Sequence, residues 1–493
     1  MLKPNRKMNI LYLASEASPL IKVGGLGDVA GSLPKALKNL SSSQTPGYEI
    51  DIRLAIPFHT MINQKFDQLQ LVSSFFVYHQ QGNMPARVFQ TIIEGVTVYL
   101  IEGGSIITDK NVYSSNPEYD AKKYIFFSVA VLEFVKNIDW KIDILHANDW
   151  HTALSVYDLK LRRDTDPFFK DIKSAFSMHN MPYMGTGSDG IFQQFGLPKC
   201  PCTNLPEWAR NIPLPMGMYA ADYLLTVSPN YAKEILTPDY GCGLQDFLLT
   251  RKDSLSGILN GLDQSKWDPK TDQTIHFPFS QTTLDDRVKN KLALQTEFGL
   301  EKNANIPLFI MITRMDQQKG VDIAIKSLRM ISDRSWQAIL LGTGDPVIES
   351  ACRSLEVEMP EKVRSIIRFD INLSKRLYAG GDIILIPSRY EPCGLTQMIA
   401  MRYGCVPLAR ATGGLKDTIF DTTTLKNKNG YLFEEPLPEI MSQAMLRAID
   451  QFSQPESWKK IQLNGMNTDF SWEKSALEYT KIYKKLIGEN NEN

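Results

Sequence analysis

A chain of 493 residues is longer than one hydrophobic core usually serves, and its 43% hydrophobic and 22% charged residues are those of an ordinary soluble protein with two domains. A net charge of −1 supplies no global field to draw nucleic acid or an anionic membrane, so any anion site has to be local. The six cysteines form no CxxC pair, which fits a reduced, cytoplasmic chain, and no apolar run reaches the roughly 20 residues of a membrane helix.

The opening MLKPNRKMNILYLASEA is basic, and its short apolar stretch is broken by Glu16. It reads as the lead-in to a first strand rather than a secretory signal. Short β-branched runs then recur, each followed by a helical pattern. In the first half they are residues 9–14, 51–56, 96–101, 143–148, 174–179 and 223–228. The pattern restarts at Pro307, with runs at 307–314, 336–342, 364–369 and 382–388. Continuous apolar strands alternating with helices predict parallel sheets covered on both faces, here two doubly wound α/β units in tandem. Ligands are expected at the carboxyl ends of the strands and in a cleft between the units. The join lies in 255–300, where Trp267 is placed to dock the connection onto a neighbouring domain. The expected domains are 1–257, 258–468 and a C-terminal helix, 469–493, returning to the first domain; its polar end, GENNEN, reads as frayed.

The first chemical signal is IKVGGLGDVAGSLPKAL, residues 21–37. Gly25, Gly27 and Ala30 fit the G-x-G-x-x-A spacing of a dinucleotide loop. That fingerprint follows its strand directly, however, and here SEASPLIKV, residues 15–23, intervenes. The candidate ribose partner, Asp51, opens the second strand instead of closing it. Two readings remain at this point: a loop whose amides approach a phosphate with Lys22 as a point charge, or glycines that only permit a tight turn. Pro34 predicts a helix that kinks or begins there.

HANDWH (146–151) and MHN (178–180) both follow predicted parallel strands, which places Asp149 and His179 at one sheet edge. The H-x4-H spacing of His146 and His151 has the look of a zinc site but lacks companion ligands. Asp164-Thr165-Asp166 mimics a metal-binding DxD and reads better as a solvated turn. No metal and no cofactor are expected.

In the second half, TRMDQQKG (313–320) puts Arg314 at a strand end and Lys319 five residues later, an arrangement that aims a guanidinium and an ammonium at one anion. SRYEPCGLTQMIAMRYG (388–404) follows a strand with Glu391, Pro392 as a first helical residue, and the amides of Leu395 and Thr396 at a helix N-terminus. A carboxylate beside a phosphate site is repelled unless it faces a group that grows positive during reaction, such as an oxocarbenium-like sugar.

These motifs, with VSPNYAKEI (227–235), ILNGLD (258–263), WDP (267–269), NKLALQ (290–295), LGTGDP (341–346) and TGGLKDT (412–418), run in order along the chain. The sequence therefore resembles the bacterial and plant glycogen/starch synthase family from about Asn9 to Leu486. The resemblance implies a GT-B glycosyltransferase fold, two Rossmann-like domains facing across a cleft. It implies transfer of glucose from a nucleotide-glucose donor, ADP-glucose favoured and UDP-glucose possible, to the non-reducing end of an α-1,4-glucan. Configuration would be retained and no metal required. It further implies that Lys22, Gly24, Gly25 and Asp28 belong to the donor loop, that Arg314 and Lys319 neutralise the leaving diphosphate, and that Glu391 lies beside the transferred glucose. Leu395 and Thr396 would bind phosphate through their amides, and Asp149 and His179 would line the sugar.

The chain departs from the family pattern in places. Val23 stands where most bacterial members have Thr, and HNMPYMGTG (179–187) differs after its first two residues, which touches sugar or acceptor contacts near Tyr183. RFDIN (368–372) replaces a Gly-Tyr pair near the nucleotide base, where Phe369 offers a stacking ring. Other GT-B transferases carry a second glutamate eight residues after the first; that position is Ile399 here. A phosphorylase needs a cofactor lysine and a much longer chain. A silent glucan-binding protein would be expected to have lost Lys22, Arg314, Lys319 or Glu391.

Overall fold

The computed structural model describes residues 6–62, 69–107 and 111–488, and the chain divides into two compact units, Met1–Gly261 with Trp472–Asn493, and Leu262–Ser471. The division falls at 261/262 and 471/472, against the 257/258 and 468/469 read from the sequence. Glu489–Asn493 of the polar tail lie outside the described residues.

The strands of the first unit are β1 (Arg6–Leu13), β2 (Tyr48–Pro57), β3 (Gln70–Val77), β4 (Met84–Ile93), β5 (Val96–Gly103), β6 (Ile144–Asn148), β7 (Lys173–Met178), β8 (Tyr223–Thr226) and β9 (Leu255–Gly257). They form one sheet in the order β3-β4-β5-β2-β1-β6-β7-β8-β9. From β5 through β9 all neighbours are parallel. Ile10, Leu11, Tyr12 and Leu13 on successive positions of β1 are all fully buried, as a strand covered on both faces requires. The expectation of parallel sheets throughout is corrected at one edge, where β3, β4 and β5 pair antiparallel. QLVSSFFV and MPARVFQTII are interrupted by polar residues and leave Leu71, Phe76 and Ile92 exposed, so they lack the continuous apolar signature of the central strands.

The helix Gly25–Lys38, α1, does not begin at Pro34. It starts within the glycine cluster and carries Pro34 in its interior. An apolar stripe of Leu26, Val29, Ala30, Leu33 and Leu37, all buried, holds it on the sheet. That stripe outweighs the roughly 3 kcal/mol an interior proline costs. The terminal helix Trp472–Leu486 packs in the same core through Ala476, Tyr479 and Tyr483, and Ser475 donates to the Leu259 carbonyl at 2.6 Å. The Tyr483 hydroxyl reaches His146 on β6 at 2.6 Å.

The second unit carries β10 (Leu308–Ile312), β11 (Gln337–Gly342), β12 (Val363–Ile367), β13 (Ile383–Ile386), β14 (Val406–Arg410) and β15 (Tyr431–Phe433). They form a fully parallel sheet in the order β12-β11-β10-β13-β14-β15. Its topological switch lies between β10 and β13, so the loops leaving those two strands open at the same edge. Trp267 docks within this unit, edge-on to Tyr378 and Tyr403, and its carbonyl accepts from Arg402. Among the described residues no helix is long and apolar enough to cross a membrane.

Candidate active site

In the first unit the glycine cluster is organised around a residue outside it. The backbone N–H of Gly24 donates to both carboxylate oxygens of Glu16 at 3.0 Å, and the Val23 N–H donates to Glu16 Oε2. The Tyr113 hydroxyl donates to Glu16 Oε1 at 3.0 Å and lies 2.9 Å from the Ser15 hydroxyl. Glu16 is fully buried. A side chain on Gly24 would place its Cβ 3.0 Å from Glu16 Oε1, and one on Gly27 would lie 3.1 Å from Glu16 Oε2 and from the Lys22 stem. Gly25 faces open space instead, with nothing within 4 Å of the position a Cβ would take. Lys22 and Asp28 pair with each other at 2.6 Å on the surface. The cluster is therefore not a free loop offering all its amides. Gly24 has given its N–H to Glu16, while Lys22, Val23 and the open flank at Gly25 face outward.

Asp149 and His179 come together at the carboxyl ends of β6 and β7. Asp149 precedes the helix Trp150–Arg163 with φ of 57°, a strained conformation for a residue with a side chain. Its carboxylate accepts from the His179 N–H at 2.7 Å. His179 Nε2 lies 2.9 Å from Asn148 Oδ1. The Asn148 amide is oriented by donating to the Leu13 carbonyl at 2.8 Å, so its oxygen is the acceptor and the His179 proton sits on Nε2. Burial pushes the Asp149 carboxyl up, against the opposing pull of His179, and pushes the His179 imidazole down, against the pull of Asp149 and then Glu16. Glu16 thus belongs electrostatically to the same cluster as Asp149 and His179. His146 and His151, the candidates for zinc, diverge. His146 bonds Tyr483 and Ser177, while His151 lies among Trp150, Tyr113 and Tyr124.

In the second unit the loops after β10 and β13 meet. Lys319 Nζ lies 2.7 and 3.0 Å from the two oxygens of Glu391, and Ser388 donates to Glu391 Oε2 at 2.8 Å. Arg389 clamps the loops together by a bidentate pair with Asp322 at 2.8 and 2.9 Å, while its N–H donates to the Gln318 carbonyl at 2.7 Å. Close approach demands glycine at two points. Gly320 has φ of 65°, and a Cβ there would sit 2.1 Å from the Pro387 carbonyl oxygen; Gly413 has φ of 47° and would meet the Glu391 carbonyl oxygen at 1.9 Å. The T-G-G turn at 412–414 is thereby assigned a task that its sequence alone did not reveal: Gly414 donates to the Glu391 carbonyl at 3.1 Å and holds that residue in place.

Arg314 and Lys319 rest on different carboxylates, Lys319 on Glu391. The Arg314 guanidinium rests on Asp316 at 3.3 Å, largely exposed. Pro392 is not the first helical residue either. Gly394, at φ of 73°, turns the chain first, and the helix is Thr396–Arg402 with Leu395 as its cap. Phe369 projects from the loop after β12 and is 83% exposed. Sequence reading missed Glu16, Tyr113, Asn148, Ser388 and the Arg389–Asp322 clamp. Of these only Glu16 left a signal, as a lone carboxylate breaking an apolar run just after a strand.

Two family profiles match the chain, one described as the starch synthase catalytic domain over residues 9–250 and one as glycosyl transferases group 1 over residues 295–463. A glycogen synthase of Geotalea daltonii is 37% identical over 487 residues, covering 97% of this chain and 99% of that one. A glycogen synthase of Clostridium perfringens is 37% identical over 485 residues, with 97% and 98% covered. Among solved structures, the catalytic domain of starch synthase IV from Arabidopsis thaliana, bound to ADP and acarbose, superposes with a TM-score of 0.84 at 29% identity, covering 98% of this chain and 100% of that one.

Proposed function

Because this chain belongs to the glycogen synthase family and is a glycosyltransferase, we propose that it transfers glucose from ADP-glucose to the non-reducing end of an α-1,4-glucan, retaining the configuration at C1 without a metal ion. The observation that carries this reading is the Lys319–Glu391 pair at the switch of the second sheet, a nearly buried carboxylate whose cation can change partners. As the nucleoside diphosphate departs, positive charge grows on the sugar ring and negative charge on the phosphate. Glu391 stabilises the first, and Lys319 with Arg314 the second. The acceptor hydroxyl attacks from the same face, and its proton passes to the departing phosphate oxygen.

The remaining assignments follow from what each group offers. Lys22 and the open side of Gly25 meet the distal phosphate and sugar, with Asp28 as the resting partner of Lys22. Gly24 serves the donor through its shape, since its N–H is engaged. The amides of Leu395 and Thr396 hold phosphate, Asp149 and His179 line the sugar, and Phe369 stacks on the base. ADP in the Arabidopsis relative supports the adenine nucleotide. Six unpaired cysteines support a cytoplasmic setting. The test is diphosphate release from ADP-glucose and from UDP-glucose, each with glycogen and EDTA. The reading predicts release that survives EDTA and is faster with ADP-glucose. Release only with added divalent metal, or faster with UDP-glucose, contradicts the corresponding part.

A further inference from the structure

We propose that Glu16 is a positioning residue for glucosyl transfer, which fixes the Lys22–Gly25 turn in the shape a diphosphate sugar meets. The inference rests on the donor-loop reading above and adds the residue that makes the loop. Glu16 occupies the place at the N-terminus of α1 where an anion is most favoured, by amide donors and the helix dipole together. A fully buried carboxylate with three neutral donors on it has nowhere to move, because leaving would strand both the charge and the donors. The amides of Val23 and Gly24 are thereby held back from the donor in every cycle. What they give the donor is rigidity, since with their N–H groups fixed the chain enters α1 at one angle, with Gly25 open and the Lys22 stem against Gly27.

The glycine pattern supports this assignment. Two of the three glycines in G-G-L-G, Gly24 and Gly27, face Glu16 and leave no room for a side chain at ordinary contact distance, and only the third opens outward. The spacing that mimics a dinucleotide loop is thus largely the footprint of an internal carboxylate. Its charge is also felt at Asp149 and His179, which links the phosphate side and the sugar side of the first unit through one buried group.

The experiment compares Glu16→Gln, Glu16→Asp, Tyr113→Phe and Lys22→Ala by steady-state kinetics in ADP-glucose and in glycogen, with hydrogen exchange of the peptide covering 21–30. Glutamine keeps the shape but turns an NH2 toward backbone N–H groups. The expected result is a donor KM raised tenfold or more in Glu16→Gln, with kcat within threefold and the glycogen KM unchanged. Exchange at 21–30 should be faster in that variant. Aspartate should recover part of the loss, and Tyr113→Phe, which removes one bond to the carboxylate and serves if Glu16→Gln does not fold, should raise the donor KM about threefold. An unchanged donor KM in Glu16→Gln, or in Tyr113→Phe where it alone folds, while Lys22→Ala raises it, overturns the proposal. A matched loss of kcat and melting temperature at constant KM overturns it too, marking a plain helix cap. Failure of Lys22→Ala to affect donor KM would instead reject the donor-loop reading beneath it.

Discussion

In the first unit the carboxylate of Glu16 is held by two main-chain amides and a tyrosine hydroxyl, whereas in the second the carboxylate of Glu391 is held by a lysine and a serine. Main-chain amides and a tyrosine hydroxyl closed on a buried carboxylate cannot be exchanged without dismantling the turn, so the first arrangement is scaffold. The Lys319 side chain is 19% exposed, and an ammonium on a long stem is able to leave one anion for another, so on the proposed mechanism the second arrangement is the working one. Two glutamates are therefore held in opposite ways, one by main-chain amides and a hydroxyl and the other by a charged side chain and a hydroxyl.

The largest expected effect comes from removing the mobile partner. Lys319→Ala should lower kcat by about 10³-fold, the scale of a lost transition-state electrostatic contact. It should also lower the unfolding free energy by about 3 kcal/mol, because Glu391 stays nearly buried without its cation. Adding Glu391→Gln should restore most of that stability in urea titrations and none of the turnover. Additive losses in the double variant would break the distinction drawn here.

The next prediction sharpens the comparison through acid. His146, His151 and His179 all belong to the first unit, and burial pushes each imidazole down, His146 to about 3. An imidazole depressed in the fold is protonated more readily in the unfolded chain. The contribution of His146 is therefore complete above about 6.5 and is lost as pH falls from there toward about 3, and those of His151 and His179 fall in the same direction. The slope is about 1.4 kcal/mol per pH unit for each such group. Hydrogen exchange at pH 5 should accelerate in the first unit before the second, and His146→Asn should shrink that lag.

A smaller effect tests the approach of the two loops in the second unit. Gly320→Ala has to accept a left-handed backbone and a collision with the Pro387 carbonyl. It should cost about 2 kcal/mol or more in urea titrations and shift Lys319 away from Glu391. Wild-type stability and turnover in that variant would show that the clamp tolerates slack.

Much of this was legible in the sequence because parallel strands buried on both faces write themselves as continuous apolar runs: each of the ten runs holds a strand. The β3–β4 hairpin was not, since a half-solvated antiparallel edge mixes polar residues into both strands, and the short parallel strands β9, β14 and β15 also fall outside the runs. Arg314, Lys319 and Glu391 stood out because they follow strand ends. Glu16 did not, because its meaning lies in which amides it meets, and that depends on how residues 17–24 fold back upon it. The role of the T-G-G turn was hidden likewise, as a carbonyl contact across the chain has no signature in residue type.

The most direct test of the contrast is a side-by-side Michaelis analysis of Gly25→Ala and Lys319→Ala with ADP-glucose and glycogen. Gly25 opens on empty space at the first turn of α1, so alanine there should leave the melting temperature unchanged or higher and obstruct only the incoming donor. The account predicts a donor KM raised about tenfold with near-normal kcat for Gly25→Ala, and a collapse of kcat for Lys319→Ala. A kcat collapse in Gly25→Ala together with an unaltered kcat in Lys319→Ala would contradict it.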